Sequence, residues 1–474
     1  MVKINRTLVI LFMVLAVFLL SVCSKKKSTK PEPEPPKYKW TILGYFDGNN
    51  EQDLDILTNG SYVIQDVQEM EQVGSTEEVQ VIVMLGSVKT KGNCNYYLIG
   101  KHLDEPPNPD SIRSEVLDSL GPEDMSDPET LKDFIKYGVE NYPAEHYMLI
   151  INDHGFGWKG VCSDQQNGGG QMMSLLEFSS VLSGHKFDII LFNAPSMSML
   201  EVAYQLKDKA NYLVASQFPD PMRNILGSSQ WLQQLTNNPN LSSRSLARNI
   251  VIAIESVAFG EVEFNISAID LSKVGALTSK VRELGSLLLT NTGDYWKEVV
   301  NARKWSVHFL PYYFDLKNFS SNIQTSPHLD STVRSAARDV ENARVDAVVE
   351  MKSAPDLGYG GICIHFPLKA ADFDSTRYVQ LDFAVSGWHV FLSWFIQAYA
   401  EANTGSLWII SFPVKGATIY LDGEYTDFKT DAIIHGIPAG VYTVKLVKEG
   451  YTTREYTNIP VFVGETTKRE LPFY

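Results

Sequence analysis

Four short apolar runs constrain this chain more than any other feature. Trp40 to Phe46 (WTILGYF), Val79 to Leu85 (VQVIVML), Tyr147 to Ile151 (YMLII) and Asp188 to Phe192 (DIILF) are too continuously apolar for strands with one wet face. They read as parallel strands covered on both sides. Tyr212 to Ala215 and Gly361 to Phe366 are expected to be further strands. Helical stretches lie between them. Asp127 can cap a helix with Pro128 at its first position, and Leu131, Phe134, Ile135, Gly138 and Val139 share one face. Asn141-Tyr142-Pro143 then stops it. Ser198 to Ala210 reads as a helix launched directly from the Asp188–Phe192 strand, and Ser331 to Met351 as another on the sheet or its rim. This alternation implies a three-layer α/β/α sandwich with a mostly parallel sheet. Active sites in such folds lie beyond the C-terminal strand ends.

The pattern changes after Gly405. Thr418 to Leu421 runs into Asp422-Gly423, a type I′ hairpin signal. The turn Gly436-Ile437-Pro438-Ala439-Gly440, the strand Val441 to Val447 and Gly450-Tyr451 follow, which together imply a small all-β sandwich. The segments GATIYLDG, GIPAGVYTVKLVKEGY and VFVGETTKREL resemble the PEGA domain. The resemblance implies a surface-associated accessory module without catalysis of its own.

The first residues have the pattern of an export signal. Lys3 and Arg6 precede an apolar run from Leu8 to Leu20, shorter than the roughly 20 residues a membrane span needs. Cys23 follows at once and resembles the acylated cysteine of a bacterial lipobox, with Val22 in place of the usual small residue. A plain signal peptide or an anchor helix is the alternative. Lys25-Lys26-Lys27 and Pro31-Glu32-Pro33-Glu34-Pro35-Pro36 make an extended spacer that buries nothing. The expected organisation is a lipoprotein-type signal peptide (1–22), a tether (23–39), a large α/β domain (40–404) and the β-sandwich (405–474). A net charge of −15 disfavours nucleic acid as a partner. Cys94, Cys162 and Cys363 allow at most one disulfide, and buried thiols are the simpler expectation.

Two strand ends carry the chemistry. One reads Ile151-Asn152-Asp153-His154-Gly155, the other Phe192-Asn193-Ala194-Pro195-Ser196. With the blocks WTILGYFDGNN, VQEMEQVGS, YPAEHYMLIINDHGFGW and EVAYQLKDKANYLVAS in order, the chain from Trp40 to Pro367 resembles the clostripain-family cysteine peptidases, which have a caspase-like fold. The resemblance implies that His154 stands at the general base and Gly155 at an oxyanion-hole amide. Pro195 stands at the nucleophilic cysteine and Asn193 at the aspartate that receives a basic substrate side chain. It also leaves calcium as an option; no metal or other cofactor is otherwise expected. Asp47, Asp153 and Asp164 are the available carboxylates, with a role in turns as the plainer account.

Proline removes the thiol and the backbone N–H that would face the oxyanion. Two substitutes can be weighed. Ser196 follows Pro195 directly, so its side chain should point elsewhere, and no GxSxG elbow is present. Cys162 lies eight residues past His154, in ordinary structural sequence. His154 itself could be a structural histidine at a tight turn. The expectation is an exported, lipid-anchored peptidase homologue of the bacterial cell envelope. It would be a pseudoenzyme that binds a peptide or protein and contacts membrane through its anchor. The alternative is an active cysteine-type endopeptidase with an unrecognised nucleophile.

Overall fold

Side chains alternating along the apolar runs divide the protein into layers. The computed structural model describes residues 37–474 apart from 55–59, 105–109, 219–225, 259–263, 291, 355 and 357. Cys23 and the tether up to residue 36 lie outside the described residues. The large sheet comprises β1 (Tyr38–Gly48), β2 (Val79–Ser87), β3 (Asn93–Leu98), β4 (Glu115–Pro122), β5 (Ala144–Asn152), β6 (Phe187–Asn193), β7 (Ala210–Ala215) and β8 (Phe264–Asp270). A ninth strand joins it from later in the chain, after β9 (His308–Leu310) and β10 (Tyr313–Asp315): β11 (Val348–Ala354). The order is β11-β8-β7-β6-β5-β1-β2-β3-β4. The five central strands, β7 to β2, pair in parallel, and the outer two on each side are antiparallel.

Period-two alternation gives each central strand two buried faces. Ile42 and Phe46 of β1 join a core with the helices α1 (Tyr62–Glu71) and two later ones, 228–237 and 243–258. Leu43 and Tyr45 face the opposite core, under α2 (Pro128–Asn141), α3 (Leu175–Val181), α4 (Leu200–Leu206) and the helices after β8. In α2 the Asp127 carboxylate accepts from the Glu129 N–H and Pro128 occupies the first turn, as the sequence implied. Its Gly138 packs so closely on Leu43 that a Cβ would lie 2.3 Å from a Leu43 methyl. At the entry to β1, the Lys37 and Tyr38 N–H groups both donate to the Pro143 carbonyl, at 2.8 and 3.0 Å. No described helix is long and apolar enough to cross a membrane.

Two helix expectations need correction, and the strand expected around Gly361–Phe366 is present in shortened form. The helix after β6 runs only over Leu200–Leu206: it starts late because the Ser198 N–H donates to Ser216 O at 2.8 Å and its hydroxyl to Gly361 O at 2.7 Å, and Ala210 already begins β7. The helix from Ser331 ends at Ala347, where β-branched Val348 and Val349 begin β11, antiparallel to β8. The strand around Gly361–Phe366 is β12 (Cys363–His365), which pairs with β10 in a small separate sheet. Cys94, Cys162 and Cys363 are buried free thiols.

From Thr404 onward the chain forms one mixed three-stranded sheet and one antiparallel four-stranded sheet around a core that includes Leu407, Ile409, Ile419, Val444, Leu446 and Phe473. Asp422 and Gly423 both have positive φ (49° and 90°), the geometry of a type I′ turn, between the paired residues Leu421 and Glu424. Because this core is its own, residues 404–474 expressed alone should give a β-type circular dichroism spectrum and a cooperative melt. A coil spectrum would show that the segment depends on the α/β layers.

Candidate active site

Parallel pairing of β5 with β6 brings the two chemically interesting loops together. The last residues of both strands, Asn152 and Asn193, are register partners, so His154 and Pro195 each leave the sheet two residues beyond the same rung. Gly155 lies directly against Pro195. A Cβ on Gly155 would be 2.1 Å from the Pro195 carbonyl oxygen and 3.0 Å from its nitrogen, so no larger residue fits. Gly157, at φ +61°, is similarly pressed on the Met199 sulfur, and the Tyr313 hydroxyl donates to the Phe156 carbonyl at 2.8 Å. The His154 loop closes on itself through Cys162 N–H to His154 O (3.1 Å) and Phe156 N–H to Gly160 O (3.0 Å). The His154 ring is buried and stacks on Phe156, 5.8 Å between centroids.

The second loop is fixed from behind. Ser196 has left-handed backbone, φ 58°, which an L-residue adopts at a cost. Its N–H donates to Phe218 O at 2.7 Å, and its hydroxyl is directed at the same oxygen, 3.4 Å away. That hydroxyl therefore faces β7's exit and not a substrate. Cys162 is adjacent to His154 through the backbone, but its thiol is fully buried. Burial first, and the Asp153 and Asp47 carboxyls next, push it well above the usual thiol range. A thiol so held is inert.

Asn193 closes the floor of the site. Its amide donates to Asp66 Oδ2 at 3.2 Å, and the Asn152 amide donates to the same oxygen at 2.7 Å. The Asn193 Oδ1 atom has no hydrogen-bond partner among the described residues. Asp66 is buried, and burial, with Glu69 adding to it, holds its carboxyl well above the usual range. Sequence reasoning missed Asp66. Its signal was there: with Val63, Val67 and Met70 it occupies the buried face of α1, an acid at a core-spaced position. Glu201 was also missed as a structural tie. Buried in the first turn of α4 and pushed up to about 7 by burial, it accepts from the His365 N–H (2.9 Å) and the Tyr378 hydroxyl (2.7 Å).

The carboxylates weighed for calcium have protein partners. Both oxygens of Asp164 are occupied, one by the Gln166 and Asn167 N–H groups (2.9 and 2.7 Å), the other by the Asn49 amide and Met125 N–H (2.8 and 3.1 Å). Asp153 accepts from the Asn50 amide at 2.7 Å and from the Ser163 N–H at 2.5 Å, and Asp47 accepts from the Asn49 N–H at 3.1 Å. Among the described residues no group of three acids, histidines or cysteines could hold a metal ion. These carboxyls shape the turns beneath His154.

Several known proteins are similar to this chain. The sequence model of the clostripain family matches residues 47–451. Clostripain of Hathewaya histolytica is 35% identical over 111 residues, 19% of this chain and 21% of that protein, so the match spans about a fifth of the curated relative's length. A secreted C11 cysteine protease of Bacteroides thetaiotaomicron, solved with an irreversible peptide inhibitor, superposes with a TM-score of 0.56 at 19% identity, covering 75% of this chain and 99% of that one. An inactive zymogen C11 protease of Parabacteroides distasonis gives 0.57 at 19%, covering 74% and 99%. At these identities the structural likeness establishes the fold: a large, mostly parallel sheet between helical layers, with added β-sheets at the C-terminus.

The Asp47–Asp153 pair gives a testable pH dependence. Burial, followed by the nearby Asp164, raises Asp47 to about 7. An acid whose folded pKa exceeds its unfolded value contributes to stability below the unfolded value, near pH 4. It loses that contribution as pH rises toward 7. Asp47→Asn should therefore gain stability relative to the wild type between pH 4 and pH 7, measured as the urea midpoint at each pH. Identical slopes in the two proteins would refute this.

Proposed function

Because the chain belongs to the clostripain family, we propose that it is a non-hydrolytic member that binds a peptide or protein in the family's cleft. One observation carries the reading: Pro195, which by resemblance stands at the nucleophile position, lies against Gly155 and leaves the sheet from the same rung as His154. The contact of Gly155 with Pro195 and their shared strand ends with His154 support this reading. At that position there is neither a thiol to form an acyl bond nor an N–H to face the oxyanion. Loss of one such donor alone costs about 10²–10³ in rate, and without the nucleophile the covalent route is closed. Ser196 and Cys162, the nearest hydroxyl and thiol in sequence, are directed elsewhere or held protonated. Asn193 replaces a carboxylate with an amide that is already engaged by Asp66, which weakens any preference for Arg or Lys.

The same reading extends to location. The basic N-region, the apolar run ending at Cys23 and the Lys/Pro/Glu tether support export and acylation, and two structural relatives are described as secreted. The C-terminal PEGA-like sandwich serves as a surface-associated accessory module. The ligand of the complete protein is a peptide or protein and not a nucleic acid.

Purified mature protein should not hydrolyse Arg- or Lys-containing peptides, and Pro195→Cys alone should restore little. The double variant Asn193→Asp/Pro195→Cys should gain weak cleavage that His154→Ala abolishes. The carboxyl introduced at position 193 would share a proton with Asp66, so that gain should grow as pH rises. Robust His154-dependent cleavage by the wild type would overturn the reading. For location, mature protein should partition into detergent carrying lipid, and Cys23→Ala should release it to the aqueous phase. Wild-type protein without lipid would refute the anchor.

A further inference from the structure

A second concave site lies away from the His154 loop, and its charge runs against that of the whole chain. The helix Thr292–Lys304 ends in Arg303 and Lys304, and Lys369 faces them from the segment after β12. They line a cavity of about 420 Å³ whose remaining wall includes Phe314, Leu368 and Tyr399. Asp372 is the one acid among the lining residues, in a chain of net charge −15.

Arg303 is the unusual member. It is only 7% exposed, its Nε donates to the Phe366 carbonyl at 2.8 Å and its Nη2 to the Pro311 carbonyl at 2.6 Å. The guanidinium lies over the Phe314 ring, 4.0 Å from the centroid. Its Nη1 bonds to no described residue, and no described carboxylate forms an ion pair with Arg303, Lys304 or Lys369. Burial lowers the Arg303 pKa to about 10, so it stays charged at neutral pH. A buried cation without an ion-paired acid is costly, and Asp372 attracts Arg303 only from beyond ion-pair distance. Here the carbonyls and the ring fix the fork in place, and Arg303 is part of the cavity wall.

We propose that this cavity binds an organic monocarboxylate carrying a compact apolar group, with Arg303 gripping the carboxylate. The planar fork suits a carboxylate in a two-bond arrangement. Lys304 and Lys369 add attraction without fixed geometry, and the apolar wall receives the ligand's body. A phosphate would bring more charge and no apolar surface to match Phe314, Leu368 and Tyr399. The site shares no residue with the His154 cleft, so it stands or falls independently of the peptide-binding reading. On β10, Tyr313 contacts the Phe156 carbonyl and its neighbour Phe314 lines this cavity, as expected of alternating side chains.

Calorimetric titration of the full mature protein with N-acetyl-L-leucine and with its neutral amide tests the assignment. The acid should bind at one site, at least tenfold tighter than the amide. Arg303→Lys, which keeps the charge but loses the fork, should weaken the acid tenfold or more, and Lys369→Ala severalfold. Because Arg303 also supports two carbonyls, Val300→Trp serves as a second variant that fills the cavity and leaves Arg303 intact; it should abolish binding with an unchanged circular dichroism spectrum. Equal binding of acid and amide would overturn the proposal. So would undiminished acid binding in both Arg303→Lys and Val300→Trp, absence of saturable binding at millimolar acid, or inorganic phosphate binding more tightly than the acid.

Discussion

The whole His154–Pro195 region depends on one register: the parallel pairing of β5 with β6, which ends with Asn152 opposite Asn193. Each strand then has two residues in which to leave the sheet, so His154 and Pro195 emerge side by side. A one-residue slip of either strand would turn that strand's side chains to the other face and separate the two loops. The rungs below, Met148–Ile189 to Ile151–Phe192, are wholly apolar and buried on both faces, which locks the register by core packing on two sides. Gly155 makes the same point at close range, since any side chain there would collide with Pro195.

The sequence exposed those parts of the structure that repeat a pattern. The apolar runs marked the central strands, Asp127-Pro128 marked the start of α2, and Asp422-Gly423 marked a hairpin. The pair of loops followed because active residues of such folds lie at strand ends. What stayed hidden was polar and non-local. Asp66 matters because Asn152 and Asn193, 86 and 127 residues away in the chain, turn their amides to it. Glu201 matters because Tyr378 reaches it across 177 residues. No local period signals such a pairing. The helix ends were misjudged for a related reason. Ser198 is drawn to Gly361 and Ser216, and Val348 to β8, so tertiary hydrogen bonding overrode the local helical tendency.

Much of the polar interior near the site is acidic. Asp47, Asp66, Asp153 and Glu201 are all raised by burial, and each is held by amides, hydroxyls or another carboxyl rather than by a cation. The opposite arrangement holds at Arg303, a buried cation supported by carbonyls and a ring. Buried Arg344 shows a third arrangement, a direct two-bond pair with Glu341 at 2.7 Å.

The position of β1 has a mechanical consequence. The strand begins at Tyr38, immediately after the proline-rich spacer, and lies between two parallel neighbours, β2 and β5. Any pull arriving along the chain from the N-terminal side enters the folded body at the middle of the sheet rather than at an edge. Drawn lengthwise, β1 must slide against both ladders at once, so the load is shared in shear among many hydrogen bonds instead of peeling them one at a time. The two N–H groups clamped on the Pro143 carbonyl stand first in that line. A body built this way resists being stretched from its leading end, whatever its cleft holds.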